Sequence, residues 1–186
     1  QDTSILDTAT KLQSIQLTNS VLSVAVALAA EDDVSQKVGS IIASIATSDS
    51  PTKEINDECI VAMGGLSSLL LNSIVSGENA TTVATEAFSL SVVKNFAPDL
   101  ATQYGVSNDN IIIITPRIAR FENDTDTEVS AELIEFNGTD SVFWSNRTEN
   151  ITSSVVSFRL LDANSSKYQM EFDQEDPLVI ILARTA

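Results

Sequence analysis

The side chains best suited to chemistry are carboxylates, and their densest grouping is ENDTDTE at residues 122–128. Asp124, Asp126 and Glu128 recur at alternate positions. Hard oxygen ligands so spaced could hold a calcium ion. The stretch lacks the glycine and the twelve-residue ligand spacing of an EF-hand loop. Its Asn123 also opens an N-glycosylation triplet. A solvated strand connector is therefore the expected role. No cofactor or metal is expected in this chain, with calcium on Asp124, Asp126 and Glu128 as the alternative.

Other catalytic chemistries lack their residues. The chain has no histidine and a single cysteine, Cys59. This excludes Ser-His-Asp and Cys-His nucleophilic systems and histidine-ligated zinc. Cys59 falls on the apolar stripe of a helical pattern, the position of a small core residue rather than a reactive thiol. Gly64-Gly65 lies inside the same pattern and not between a strand and a helix, so it is not a phosphate-cradling loop. A carboxylate pair for glycoside hydrolysis is available in principle among 26 acidic residues. One Trp and two Tyr offer few platforms for a sugar substrate. The chain is read as non-enzymatic.

A modification chemistry is better represented. N-glycosylation triplets begin at Asn79, Asn123, Asn137, Asn146, Asn150 and Asn164. A Ser/Thr-rich chain with 12 Asn would carry roughly two to three by chance, so six is an excess. Five of them fall in the last 64 residues. Such triplets work only on exposed loops of a chain that has entered the secretory route. Trp144 sits among them, either as a buried aromatic closing the end of the sheet or as an exposed partner contact.

Charge narrows the partners. Ten basic residues against 26 acidic ones leave a net charge of −16. That surface repels phosphate backbones and anionic lipid headgroups. Neither nucleic acid nor a membrane surface is an expected partner; other extracellular protein domains and N-linked glycans are. The most apolar early run, residues 21–30, is about half a membrane span. It has too poor a basic flank for a signal-peptide core, and a buried helix is expected instead, with no membrane span in this chain.

These groups must be carried by an α+β fold with helices first and strands later. Residues 1–106 read as a helical subdomain and residues 107–186 as an antiparallel β-sandwich, with the change of period at 104–109. Asp2-Thr3-Ser4 can cap a short first helix, and a break near Leu17-Thr18-Asn19 opens a second over residues 20–30 that is apolar nearly all round. Glu31-Asp32-Asp33 suits the start of a third helix, which presents Val34, Val38, Ile41, Ile42 and Ile45. SDSPT stops it. A fourth helix covers residues 53–75 on a stripe of Ile55, Cys59, Ile60, Met63, Leu66, Leu69, Leu70 and Ile74. Its Gly64-Gly65 implies close packing of another backbone, or else a break. SGENA at 76–80 is a turn. A fifth helix is expected over residues 81–97, ended by Pro98.

Strands are expected from residue 110 onward. NIIIITP is a β-branched run closed by proline. EVSAELIEF places Val129, Ala131 and Leu133 on one face, with Ile134 and Phe136 on the other. RIARFE and SVFW are shorter candidates. Residues 151–184 read as three consecutive strands: SSVVSFRLLD, KYQMEFD and the doubly apolar PLVIILAR. Residues 178–182 would be the central strand, so Ile180→Asp should unfold this half.

Three stretches together carry a family resemblance. INDECIVAMGGLSSLLLNSIVSGENATTVATEAFSLSVV is similar to the helical subdomain of a GAIN-type domain, the autoproteolysis-inducing module of adhesion receptors and polycystin-type ciliary membrane proteins. ITSSVVSFRLLDANS resembles a strand and turn of its β-sandwich, and PLVIILART resembles the core strand that precedes the proteolysis segment. The polycystin and egg-jelly-receptor-like branch is the nearer in character. The resemblance implies a non-enzymatic extracellular module of a larger cell-surface or ciliary protein, acting in adhesion or in mechanical or signal coupling. The family's cleavage segment has paired cysteines, tryptophans and a His-Leu-Ser/Thr tripeptide, none of which is present, so no residue here is assigned self-cleavage. A structural glycoprotein subunit of an extracellular filament or coat is the other reading of the same acidic, triplet-rich surface.

Overall fold

The computed structural model describes residues 6–25, 32–48, 52–96, 111–114, 128–136, 155–162 and 179–182. Three helices precede six strands: α1 (Thr8–Ala25), α2 (Asp32–Ala46), α3 (Lys53–Ser73), β1 (Thr81–Ala84), β2 (Phe88–Phe96), β3 (Ile111–Ile114), β4 (Glu128–Phe136), β5 (Val155–Asp162) and β6 (Val179–Leu182). The α+β class is as expected.

The first helix is one piece where two were expected. Its cap is Asp7, whose Oδ1 accepts from the Thr10 amide at 2.7 Å. Thr18 and Asn19 do not break it. Thr18 Oγ1 donates back to the Ser14 carbonyl at 2.9 Å, while Asn19 Nδ2 reaches across to Glu58 Oε2 of α3 at 2.6 Å. Residues 20–25 are not central to the bundle either. Leu22 is buried, but Val21 and Val24 are exposed.

α2 and α3 form where expected, and most but not all of each expected stripe is buried. Thr52 caps α3, accepting from the Ile55 amide at 3.3 Å, and the helix buries Ile55, Cys59, Met63, Leu66, Leu69 and Leu70. Ile60 is exposed, as are Val34 and Ile41 of α2. α3 runs unbroken through both glycines. A Cβ on Gly65 would stand 3.1 Å from Leu22 Cβ, so α1 does pack closely there, whereas a Cβ on Gly64 would meet nothing within 4 Å. Gly39 is a second close approach: a Cβ there would lie 2.5 Å from Val83 Cγ1, so α2 rests directly on β1.

The expected fifth helix is a hairpin. Thr81–Ala84 and Phe88–Phe96 pair antiparallel, with Thr82 opposite Ser91. Thr85 closes the turn, its amide donating to the Phe88 carbonyl at 2.9 Å and its Oγ1 accepting from the Phe88 amide at 3.0 Å. The overlooked signal is the alternation Phe88, Leu90, Val92 against Ser89, Ser91, Val93, with β-branched residues in both strands. The helix-to-strand change therefore falls between Ile74 and Thr81, ahead of the expected 104–109.

The four-stranded sheet has the order β1-β2-β4-β5, all antiparallel. Phe88 faces Phe136 and Leu90 faces Ile134 across the β2–β4 ladder. These residues, with Val83, Val92 and Leu161, join the helix side chains in one core. The opposite face is also buried, at Val93, Val129, Ala131, Leu133 and Leu160, so the sheet has two covered faces. β3 and β6 pair with each other, Ile113 opposite Ile180. The expected closing run is thus divided: β5 borders β4, and β6 borders β3. KYQMEFD, RIARFE, SVFW and Trp144 lie outside the described residues, as does Asp2-Thr3-Ser4.

Candidate functional site

The groups that could act on another molecule gather where α3 turns into the sheet. α3 ends at Ser73, and residues 75–78 form a tight turn closed by the Glu78 amide on the Val75 carbonyl at 3.1 Å. Gly77 takes a φ of +92°, a left-handed conformation that glycine adopts without steric cost. Glu78 also turns back, its Oε2 accepting from the Val75 amide at 2.9 Å. The Gly77 amide donates to the Lys94 carbonyl at 3.0 Å, which pins the turn to the end of β2.

This rigid turn presents Asn79 to solvent, followed by exposed Ala80 and half-buried Thr81. Asn79 is the one glycosylation candidate among the described residues. Asn123, Asn137, Asn146, Asn150 and Asn164 lie outside them, as do Asp124 and Asp126.

Beside the turn, between α2 and β1, is an open cleft of about 550 Å³. Asp33, Ser35 and Gln36 line it from α2, Leu70 from α3, and residues 80–83 from the sheet side. Gln36 Nε2 donates to the Ala84 carbonyl at 2.6 Å, tying the helix to the edge strand. Asp33 pairs with Lys37 one turn on, at 2.5 Å. Thr82 Oγ1 and Ser91 Oγ are 2.8 Å apart across the hairpin. Ser35 is buried, and its Oγ has no hydrogen-bond partner among the described residues. The exposed polar side chains at the cleft from α2, Asp33 and Gln36, are thus already engaged, by Lys37 and by the Ala84 carbonyl.

Glu128, the described member of the acidic trio, opens β4 rather than lying in a free loop. Ser76 donates its hydroxyl to Oε1, and Lys94 Nζ lies 3.3 Å from Oε2. The Ser76 hydrogen bond, with the Lys94 charge beside it, holds the carboxyl below the usual glutamate range. Its oxygens are therefore already engaged. No cluster of three or more His, Cys, Asp or Glu suited to a metal occurs among the described residues.

A second charged pair escaped sequence reasoning. Glu132 of β4 is wholly buried, and its Oε1 accepts from Arg159 Nε at 2.6 Å, with Arg159 Nη2 also against it. The two stand directly opposite each other on neighbouring strands. Glu132 Oε2 has no partner among the described residues. A cavity of about 10 Å³, matched to a single water, adjoins Glu132, Val92 and Phe158. Each charge stands between apolar neighbours in its strand, which was legible; their pairing needed the β4–β5 register.

Cys59 is buried in the helical core. Desolvation, with the Glu58 charge adding to it, pushes its thiol up to about 12. That is the inert side chain expected of a structural cysteine.

No protein-family model matches the chain, and no curated protein matches it. Among solved structures, it is similar to the full extracellular region of zebrafish Gpr126/Adgrg6, at 13% identity and a TM-score of 0.45 over 78% of this chain. The match spans 22% of that protein's chain. No helix among the described residues is long and apolar enough to cross a membrane.

Proposed function

We propose that this chain is a non-enzymatic, glycosylated GAIN-like module of a larger polycystin-like cell-surface or ciliary protein. It acts in adhesion or in mechanical or signal coupling, through contacts with other extracellular domains, those of its own parent protein among them. The observation that carries this reading is the placement of Asn79. A triplet that occurs by accident can fall anywhere, but this one sits exposed, on a turn fixed by Gly77 and Glu78. An attached glycan there would displace no core contact.

The architecture is consistent with a mechanical role. Helices and sheet share one core, and antiparallel ladders join β1, β2, β4 and β5. Pulling strands out of such a ladder must break several backbone hydrogen bonds together. The similarity of PLVIILART to a strand preceding a proteolysis segment supports a holding role for β6.

Antibodies raised against the folded chain test the location. Staining of the parent protein on unpermeabilised cells is the expected result. Staining that appears only after permeabilisation would remove the extracellular reading. Long assemblies built from copies of this unit would favour the filament or coat reading instead.

A further inference from the structure

We propose that the outer edge of β1, with the cleft that α2 forms beside it, is a docking groove for an extended basic peptide segment, which adds to the sheet as a further strand. The inference is independent of the glycosylation reading.

The backbone carries the argument. β1 stands at one end of the strand order β1-β2-β4-β5. The Thr85 amide donates to the Phe88 carbonyl, which makes these two a bonded pair. Bonded and non-bonded pairs alternate along an antiparallel ladder, so Thr82 opposite Ser91 and Ala84 opposite Ser89 are non-bonded pairs. Thr82 Oγ1 and Ser91 Oγ, 2.8 Å apart, fit the closer side-chain approach of such a pair. Thr82 and Ala84 therefore turn their N–H and C=O groups away from β2, and both residues are exposed.

Gln36 Nε2 takes the Ala84 carbonyl at 2.6 Å. That bond shows the outward direction of the group and places α2 alongside the free edge. The Thr82 N–H, the Thr82 C=O and the Ala84 N–H have no hydrogen-bond partner among the described residues. Unpaired backbone groups along a sheet edge are a template for another chain. The space such a chain needs is present. An added strand lies about 4.8 Å from its neighbour, and the cleft of about 550 Å³ opens along residues 80–83, between this edge and α2. A peptide held between an edge strand and a helix draws its affinity from main-chain hydrogen bonds.

Charge selects the occupant. Asp33 lines the cleft, and exposed Glu78 and Glu86 flank β1 in sequence. The nearby cation on α2, Lys37, is already paired with Asp33. A second copy of this chain would bring its own net charge of −16 to the edge and be repelled, whereas a cationic segment is attracted.

The test titrates the full chain into a fluorescent peptide of alternating lysine and valine and reads anisotropy. Saturable binding is expected. Ala84→Pro removes only an outward N–H, a change that edge strands tolerate, and should weaken binding about tenfold, the effect of losing one main-chain hydrogen bond. Thr82→Pro removes the other outward N–H and substitutes if Ala84→Pro does not fold. Two further probes carry methyl groups on alternate backbone nitrogens, one in each phase, with the charge unchanged. The phase that faces β1 should lose binding and the other should keep it. Equal binding of the two phases, or undiminished binding to the folded proline variants, would reduce the attraction to charge alone and overturn the groove. Absence of binding would do the same. Self-association of the chain alone in sedimentation, lost in Ala84→Pro, would assign the edge to a second copy and overturn the peptide.

Discussion

Arg159→Met should be among the most damaging single changes in the sheet. Glu132 is wholly buried, and Arg159 is the cation at its carboxylate. Removing that cation leaves a desolvated charge with no counterion. Breaking a fully buried pair in this way costs about 3–5 kcal/mol. Arg159 keeps 34% of its side chain exposed, so water reaches one side of the pair and the cost falls to about 2–3 kcal/mol. Urea unfolding followed by circular dichroism reads this directly, and the thermal midpoint should drop by about 4–12 °C. The double variant Glu132→Leu with Arg159→Met removes both charges and should recover to within about 1 kcal/mol of the parent, because an apolar pair carries no desolvation penalty. A loss below about 1 kcal/mol for Arg159→Met alone would refute the reasoning. So would a double variant no better than the single one.

Further outcomes follow from particular side chains. Gly64→Ala should stabilise by about 0.5–1 kcal/mol, because its new methyl meets nothing and the helix gains a better former. Gly39→Ala should instead cost about 1 kcal/mol net, since overpacking against Val83 outweighs the same helical gain; chemical denaturation of both variants checks the contrast. Glu128 is held below its ordinary range by Ser76 and Lys94, so its contribution is present above the unfolded glutamate value near pH ~4.3 and is lost as pH falls through its lower folded value. Ser76→Ala should raise that carboxyl's midpoint in an NMR titration, and an unchanged midpoint would contradict the assignment. Cys59, buried with its thiol near 12, should resist alkylation at pH 8 in the folded protein and react at once in denaturant. Rapid labelling of the native state would show that the helical core opens.

The order of helices before strands was legible because strong periodicity marks α2, α3, β4 and the β-branched runs of β3 and β6. The hairpin at residues 81–96 was misread for a physical reason. Val83, Ala87, Leu90 and Val93 recur at spacings that also suit a helix face, and they compete with the period-2 alternation of Phe88, Leu90 and Val92 that the β1–β2 ladder follows. The uninterrupted α1 was hidden by Thr18 and Asn19, polar residues that suit a cap but are satisfied by Ser14 and Glu58. Strand partners were least legible. Residues 151–184 were read as consecutive strands, but which strand each would border was not, and the pairing of β3 with β6 joins segments distant in sequence. The candidate site divided in the same way. Asn79 could be read from its triplet alone, whereas the cleft beside it combines α2, α3 and β1 and exists only in the folded chain.

The most direct test of the account is glycopeptide mass mapping of the native protein isolated from its own cells. Glycan on Asn79, together with occupancy at one or more of Asn123, Asn137, Asn146, Asn150 and Asn164, is the predicted result. All six asparagines bare would contradict an extracellular, glycosylated module.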